Sequence, residues 1–554
     1  MNSSAETGLL FRIPITLPAL CGILSHIFLW NRGEWDGIFW AIALAVIVMH
    51  HLIILAQSWF GHGILDSNLR LLLLEAFYTA SVLGSTVIYR IFFHPLRKFA
   101  GPVWAKIWVW YRVKATLASG HRHAMVLHEL HGKYGDIVRV APDQLSINLT
   151  LAIPLVHGSS SSLIKSVCYE NPMETCINWE RDPTLHRLRR ASWESGLNHK
   201  ACATYFPRIL SLTNLLLFRL EELNGEPTPA NRWCHFYTFD VMGELGFGQS
   251  YNQLEKCEMH PTIRIIMKYM CVGVYALMVP WLHCIISRLP APGIEKPDWD
   301  FRAFAEEALE RRKKSIPSTP DIITHVLSST IKPRLTPNQL ISDSLILQVG
   351  GSDTTTSAFV HILYHLARSH SIQSKLFVEI SNIVTSRGQI TWRAISRLPY
   401  LEAVINETLR LHPPAPSGMP RQVPTHEVLV VNGITIPGGT NISTPTYSLH
   451  HSPLSFTYPE DFIPERWTTE SQLITDKSAF CPFGMGPYGC PGKYLAMMEM
   501  KCFVVGVVGR FEVKFPKGVD LEEVDRRIDR EWKDFNTTQA AEVELVFMAR
   551  GNER

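Results

Sequence analysis

Charge of either sign is too balanced in this chain to direct its function. Its 554 residues carry 53 Lys and Arg against 50 Asp and Glu, a net charge of +3. No dense basic run occurs, which excludes nucleic-acid binding as the organising interaction. Paired cysteines are lacking too. Eleven cysteines are scattered singly, with no Cys-x-x-Cys among them; this excludes a disulfide framework and points to a reducing compartment. No basic segment precedes the first apolar stretch, so a cleaved signal peptide is not expected. Internal repeats, low-complexity segments and any stretch suited to bind flavin or NADPH are absent. What the chain has in quantity is apolar residues, 46% of the total, ample for one large core or two modest ones.

Three apolar stretches open the sequence, 9–30, 38–59 and 71–93. Each is near the roughly 20 residues needed to cross a bilayer. The second is interrupted only by His50 and His51. The first contains Arg12, Pro14 and Pro18, and the third contains Glu75; a mid-span carboxylate costs about 2.5–3.5 kcal/mol on insertion scales. No Lys or Arg precedes Leu9, whereas Arg97, Lys98, Lys106, Arg112 and Lys114 follow the third stretch. The positive-inside rule therefore puts the N-terminus outside and the main domain in the cytosol, which requires one or three spans, with three preferred. Asn2-Ser3-Ser4 would then be a lumenal glycosylation acceptor. His94–Pro102 reads as a stiff, non-helical link.

Beyond the link, Tyr134–Pro142 reads as a turn and an alternating strand, with a second strand at Leu145–Leu149. His186 and Arg190 share one face of a helix at a spacing of four. Phe236–Gly248 reads as a buried helix ended by glycine. The apolar run Ile265–Ile286 is read as a channel-lining or membrane-dipping helix, and Pro290–Pro320 as a linker. Thr336-Pro337-Asn338-Gln339 is a helix start, with Thr as cap, Pro in the first turn and Gln three residues on. That helix is predicted to run to about His370. In its middle, Gly350-Gly351-Ser352-Asp353-Thr354-Thr355-Thr356 sets two glycines, a carboxylate and hydroxyls in an apolar context. The glycines alone cost about 1 kcal/mol each relative to alanine, and the hydroxyls can bond back to carbonyls four residues earlier. A packing notch for a crossing helix would explain the glycines as well as a functional site would.

The stretch Phe483–Gly492 carries the most information. One cysteine, Cys490, sits among four glycines and two prolines ahead of a proline-free apolar run, Lys493–Val508. This predicts a tight loop delivering the thiol to a helix start. There the helix field and the N–H groups of Gly492 and Lys493 favour a thiolate.

Phe483, Gly486, Cys490 and Gly492 stand in the register of Phe-x-x-Gly-x-Arg-x-Cys-x-Gly. The stretch resembles the haem-binding loop of the cytochrome P-450 superfamily. It departs once: Tyr488 stands where the family usually has an arginine that pairs with a haem propionate. Gly351, Asp353 and Thr354 resemble the family's oxygen-binding groove. Glu407-x-x-Arg410 and Pro464-Glu465-Arg466-Trp467 resemble its two motifs that form one ion triad. The resemblance implies a mostly α fold with small β-sheets, preceded by transmembrane helices. Residues 1–94 would be the membrane anchor and 95–554 the catalytic domain, with His94–Pro102 as the hinge.

On the same resemblance the cofactor is haem b, with Cys490 as axial ligand to iron and Asp353 and Thr354 relaying protons to dioxygen, for which Gly350 and Gly351 leave room. His186, Arg190, Tyr488 and Arg421 would contact the haem edge. Glu407, Arg410 and Arg466 would be structural. Leu345, Gln348, Val349, Ser417, Gly418 and Met419 would border a lipophilic substrate. Electrons would come from a separate NADPH-cytochrome reductase on the endoplasmic reticulum membrane, and no nucleic acid is implied. The implied activity is monooxygenation in fungal secondary metabolism; a haem-thiolate desaturase or ring-former, or a non-catalytic haem sensor, is the alternative.

Overall fold

The computed structural model describes residues 9–169, 176–286, 297–315, 319–330, 334–387 and 390–551. The expected acceptor Asn2 lies outside them. Two N-terminal helices, Asp36–Trp59 and Ile64–Phe93, are long and apolar enough to cross a membrane. The third expected span is thus longer than 71–93. The first differs more. Residues Leu9–Arg12 and Thr16–Ser25 are separate helical pieces broken around Pro14, and the apolar helix Thr16–Trp30 has 15 residues. At 1.5 Å per residue it measures about 22 Å, short of a bilayer core of roughly 30 Å.

The short helix is held by Ile64–Phe93. Gly22 lets the two backbones meet, since a Cβ there would lie 2.5 Å from Tyr78 O. Ser25 and Trp30 hydrogen-bond to the Tyr78 hydroxyl, and His26 to Ser85. Small residues and interhelical hydrogen bonds of this kind drive helix association in lipid. Glu75 is likewise partnered: His50 Nδ1 lies 3.0 Å from its carboxylate.

The rest is helical around one main core, with small sheets at its margin. Strands β1 (Ile137–Ala141), β2 (Gln144–Ile147), β3 (Ile164–Lys165), β4 (Arg421–Gln422) and β5 (Asn441–Ser443) form a sheet in the order β1-β2-β5-β4-β3. Helix Ala230–Phe247 is buried along most of its length and ends at Gly248 in the left-handed conformation, as expected. The central helix, Pro337–Arg368, opens on the expected capping box between Thr336 and Gln339. Against its second half Phe359 stacks on Phe503 of the C-terminal helix Lys493–Arg510, with centroids 4.0 Å apart.

Two middle segments depart from expectation. Ile265–Ile286 is not one helix but two, Pro261–Met278 and Pro280–Ile286. Pro280 separates them, because its ring blocks helix continuation. The charged stretch read as a linker contains the helix Pro297–Lys314. Its Ala305, Ala308 and Leu309 join the main core, so a sparse apolar stripe was enough to order it.

The structural triad forms as expected and is fully buried. Glu407 accepts from Arg410 Nη2 at 2.9 Å and Nε at 3.0 Å, from Arg466 Nε at 2.8 Å, and from Trp467 Nε1 at 2.9 Å. The two guanidiniums spend their other donors on carbonyls: Arg410 on those of His450, Pro459 and Asp461, Arg466 on those of Thr457 and Tyr458. One carboxylate against two buried cations is tolerable only with such full satisfaction. The network then reaches forward. His450 bonds Arg410 O through Nδ1, and its Nε2 accepts the N–H of Cys481 at 3.1 Å. The accepting Nε2 fixes a neutral ring with its proton on Nδ1. Burial and the nearby Arg410 charge push its pKa down to about 3. Glu407→Ala should cost about 3–5 kcal/mol by leaving two buried guanidiniums uncompensated, read as a large fall in melting temperature. His450→Phe should keep the triad but loosen the segment from Cys481 onward, read as faster amide exchange confined to residues 481–490.

Candidate active site

The loop at Cys490 is tied down from within. Cys490 N donates to Phe483 O at 2.7 Å, Gly484 N to Cys481 O at 2.9 Å, and Gly489 N to Gly486 O at 3.1 Å. Gly486 has φ +64°, and a Cβ there would lie 2.1 Å from His157 O; only glycine serves at such a point. Phe483 packs on the main core. Gly492 precedes the helix Lys493–Arg510, so the loop delivers Cys490 to a helix start as the sequence implied. The Cys490 side chain is exposed on this loop.

On the central helix the two glycines have separate tasks. A Cβ on Gly351 would meet Met242 Sδ at 2.2 Å, so this glycine is the packing notch for helix Ala230–Phe247 and leaves no room for a ligand. Among the described residues nothing lies within 4 Å of a Cβ on Gly350, which is exposed in the middle of a largely buried helix. Thr354, one turn on, shares that open face. Its hydroxyl donates to Gly350 O at 2.6 Å and Ser352 donates to Gln348 O at 2.7 Å, the back-bonding the sequence predicted, yet the helix stays regular. Asp353 is buried, and Thr537 donates to it. Burial, only partly opposed by that bond, pushes its pKa up to about 6.

The expected substrate residues divide. Gln348 lies about 200° around the helix from Gly350, at 100° per residue. It falls between Gly351 and Thr356, which meet Met242 and Thr238 of helix Ala230–Phe247, so it faces that helix rather than the open side. Val349 is buried in a cluster with Phe535, and Leu345 borders it. Ser417 donates to Asp534, a buried carboxylate raised to about 6 by burial. Met419 Sδ receives the Tyr169 hydroxyl at 3.0 Å. Thr537, Asp534 and Tyr169 gave no signal in the sequence; their roles come from distant turns folded onto the site.

Around Tyr488 the structure gathers the expected cations and one unforeseen. The ring of buried His186 lies 4.6 Å from that of Tyr488, and the Arg421 guanidinium 4.6 Å from it. Arg190 pairs with Glu194 and donates to Gly489 O, clamping the loop. Lys165 Nζ, also buried, lies 5.2 Å from the Tyr488 ring. Arg189 turns inward instead of Arg190, onto Asp343 and Glu180. The spacing His186, Arg189, Trp193 could have revealed this face, since all three are buried on one helix.

These residues fit a haem. The site offers one soft thiol on a fixed loop, an open notch at Gly350 on the central helix, and a buried guanidinium, that of Arg421, whose Nε has no hydrogen-bond partner among the described residues. A family model described as cytochrome P450 matches residues 102–531. The chain is 34% identical over 518 residues to the cytochrome P450 monooxygenase notG' of Aspergillus versicolor, covering 91% of this chain and 93% of that one. It is 33% identical over 518 residues to tryprostatin B 6-hydroxylase of Aspergillus fumigatus, covering 90% and 91%. It is 30% identical over 541 residues to the cytochrome P450 monooxygenase FCK2 of Fusarium pseudograminearum, covering 96% of each. With the thiol loop, the open notch and the buried triad in place, the chain belongs to the cytochrome P450 family, oxygen-incorporating oxidoreductases whose cofactor is haem b.

Proposed function

We propose that this protein is a membrane-anchored haem-thiolate monooxygenase that oxidises a lipophilic small molecule in fungal secondary metabolism, and that the Cys490 sulfur would hold the haem. The observation that carries this reading is the pairing of a thiol on a rigid loop with a mid-helix opening at Gly350. The relative that acts on tryprostatin B supports the secondary-metabolite class. Bound haem under a thiolate supplies the cleavage of dioxygen and the oxidation itself.

The chain's own residues hold, orient and deliver protons. Thr354 Oγ1 donates to Gly350 O, which fixes its oxygen on the open face. Asp353 projects about 100° away from Thr354. With Thr537 it forms a proton reservoir that titrates near neutrality, and Thr354 is the delivery point. Val349 and Leu345 on the central helix, and Ser417 and Met419 near β4, shape the substrate side. Two electrons per turnover come from an NADPH-dependent reductase on the same membrane.

The anchor reading has support of its own. Glu34, in the loop between Thr16–Trp30 and Asp36–Trp59, accepts from Arg181 at 3.0 Å and from Gln422 at 2.9 Å. That loop and the catalytic domain then share the cytosolic side of the endoplasmic reticulum. The boundary falls near His94: the expected non-helical link instead holds a short helix, Pro95–Lys98, with Leu96 and Phe99 buried against the catalytic domain.

Product analysis in a host carrying this protein and a reductase tests the function. Oxidised product should need NADPH and oxygen and vanish in Cys490→Ser; unchanged product in that variant would refute it. Cysteine introduced at Arg32 should label from the cytosol and at Gly61 from the lumen; the reverse pattern would refute the topology. The raised pKa of Asp353 means the folded state holds its proton more tightly than the unfolded chain, so this group's contribution to stability falls as pH rises from about 3.8 to about 6. Asp353→Asn removes that loss. The melting-temperature gap in favour of the variant should therefore widen between pH 4 and pH 7, by the equivalent of at most about 3 kcal/mol. A pH-independent gap would contradict the assignment.

A further inference from the structure

Tyr488 removes a positive charge from the place where the family pattern has arginine, and the surrounding structure carries the charge elsewhere. Lys165 and Arg421 are each 3% exposed. They lie on paired strands: β3 and β4 are antiparallel neighbours, with Lys165 opposite Arg421. Both cations approach the same tyrosine ring, Nζ at 5.2 Å and Cζ at 4.6 Å. Lys165 donates to the carbonyls of Ile177 and Asn178 at 2.8 Å each. Arg421 Nη1 donates to Pro420 O at 3.1 Å, and its Nε has no partner among the described residues.

Neither cation makes an ion pair among the described residues. The carboxylates nearby are committed: Glu180 and Asp343 to Arg189, Glu194 to Arg190. Two buried basic groups with only neutral acceptors are costly to charge unless an anion joins them: burial, and then the Arg421 charge, push the Lys165 pKa down to about 7. His186 completes the corner as a neutral ring, its pKa pushed down to about 3 by burial first and then by Lys165, Arg190, Arg421 and Arg189. The corner is therefore built to take two negative charges through two cations, with an aromatic platform between them that can also donate its hydroxyl.

We propose that Lys165 is the haem-propionate ligand that takes over the charge missing at Tyr488, acting beside Arg421 across the Tyr488 ring. The assignment rests on the haem site at Cys490. It is specific to this chain's pairing of Lys165 with Tyr488, and it gives tyrosine the role of holding the two cations apart.

A double-mutant cycle between Lys165 and Tyr488 tests it. The readouts are the rate of haem loss to apomyoglobin and the ferric/ferrous midpoint potential. Lys165→Met should lose haem at least tenfold faster and move the potential to a more negative value, because removing a nearby positive charge favours the ferric state. Lys165→Arg should stay near wild type. Tyr488→Arg should restore retention and potential in the Lys165→Met background while giving little gain in the wild-type background. If Lys165 only caps the Ile177 and Asn178 carbonyls, Lys165→Met will lower the melting temperature without moving the potential, and Tyr488→Arg will rescue nothing; that result overturns the proposal. Should Lys165→Met fail to fold, Tyr488→Arg alone decides: tighter haem retention than wild type would mean the charge was missing and refutes the assignment, whereas unchanged retention supports it. A thiolate-type carbon-monoxide spectrum of the wild-type protein, recorded alongside, tests the haem site separately. Its absence refutes the underlying reading, and the Lys165 assignment with it.

Discussion

Everything at this site depends on holding one thiol still. The loop carrying Cys490 has little side-chain mass of its own, so its position is borrowed from the protein behind it. A continuous hydrogen-bonded path runs from Glu407 to Arg410, from Arg410 O to His450, and from His450 Nε2 to the N–H of Cys481. The loop then closes on itself through Cys490 N and Phe483 O. From the other side Arg190 grips Gly489 O, and the backbone at His157 fills the space that any side chain at residue 486 would need. A buried ion cluster that would be a poor source of net stability thereby acquires a purpose. It converts the rigidity of the helical core into the placement of a single sulfur.

The same logic governs the opposite face. A helix of 32 residues stays regular through the run 350–356 of glycine, hydroxyl and acidic residues, where Ser352, Asp353, Thr354 and Thr356 each have a hydrogen-bond partner. Ser352 and Thr354 bond back to the helix, Thr356 bonds Thr238, and Thr537 bonds Asp353. The helix can then leave one position, Gly350, without a neighbour. Rigidity around an opening, rather than softness at it, is what an oxidation site requires, since a loose pocket would admit water and lose orientation.

Much of this was legible in the sequence, for identifiable reasons. The Cys490 loop, the Thr336 cap and the Glu407 cluster are local patterns, and local patterns survive folding. The readings that changed depend on direction around a helix or on contacts between distant segments. Gly350 and Gly351 look alike in sequence, but only the structure separates the open one from the one filled by Met242. Gln348 is near the right turn yet on the wrong face. Lys165 stands in an unremarkable strand, and its importance comes from β3 pairing with β4. The first apolar stretch had the length of a span, but its helix is broken around Pro14.

The carbon-monoxide difference spectrum of the reduced, haem-loaded protein tests the central claim most directly, because the Soret band reports the atom opposite the bound gas. A thiolate-type, strongly red-shifted band is predicted from Cys490. A band of the imidazole type in folded protein that retains its haem would contradict the account.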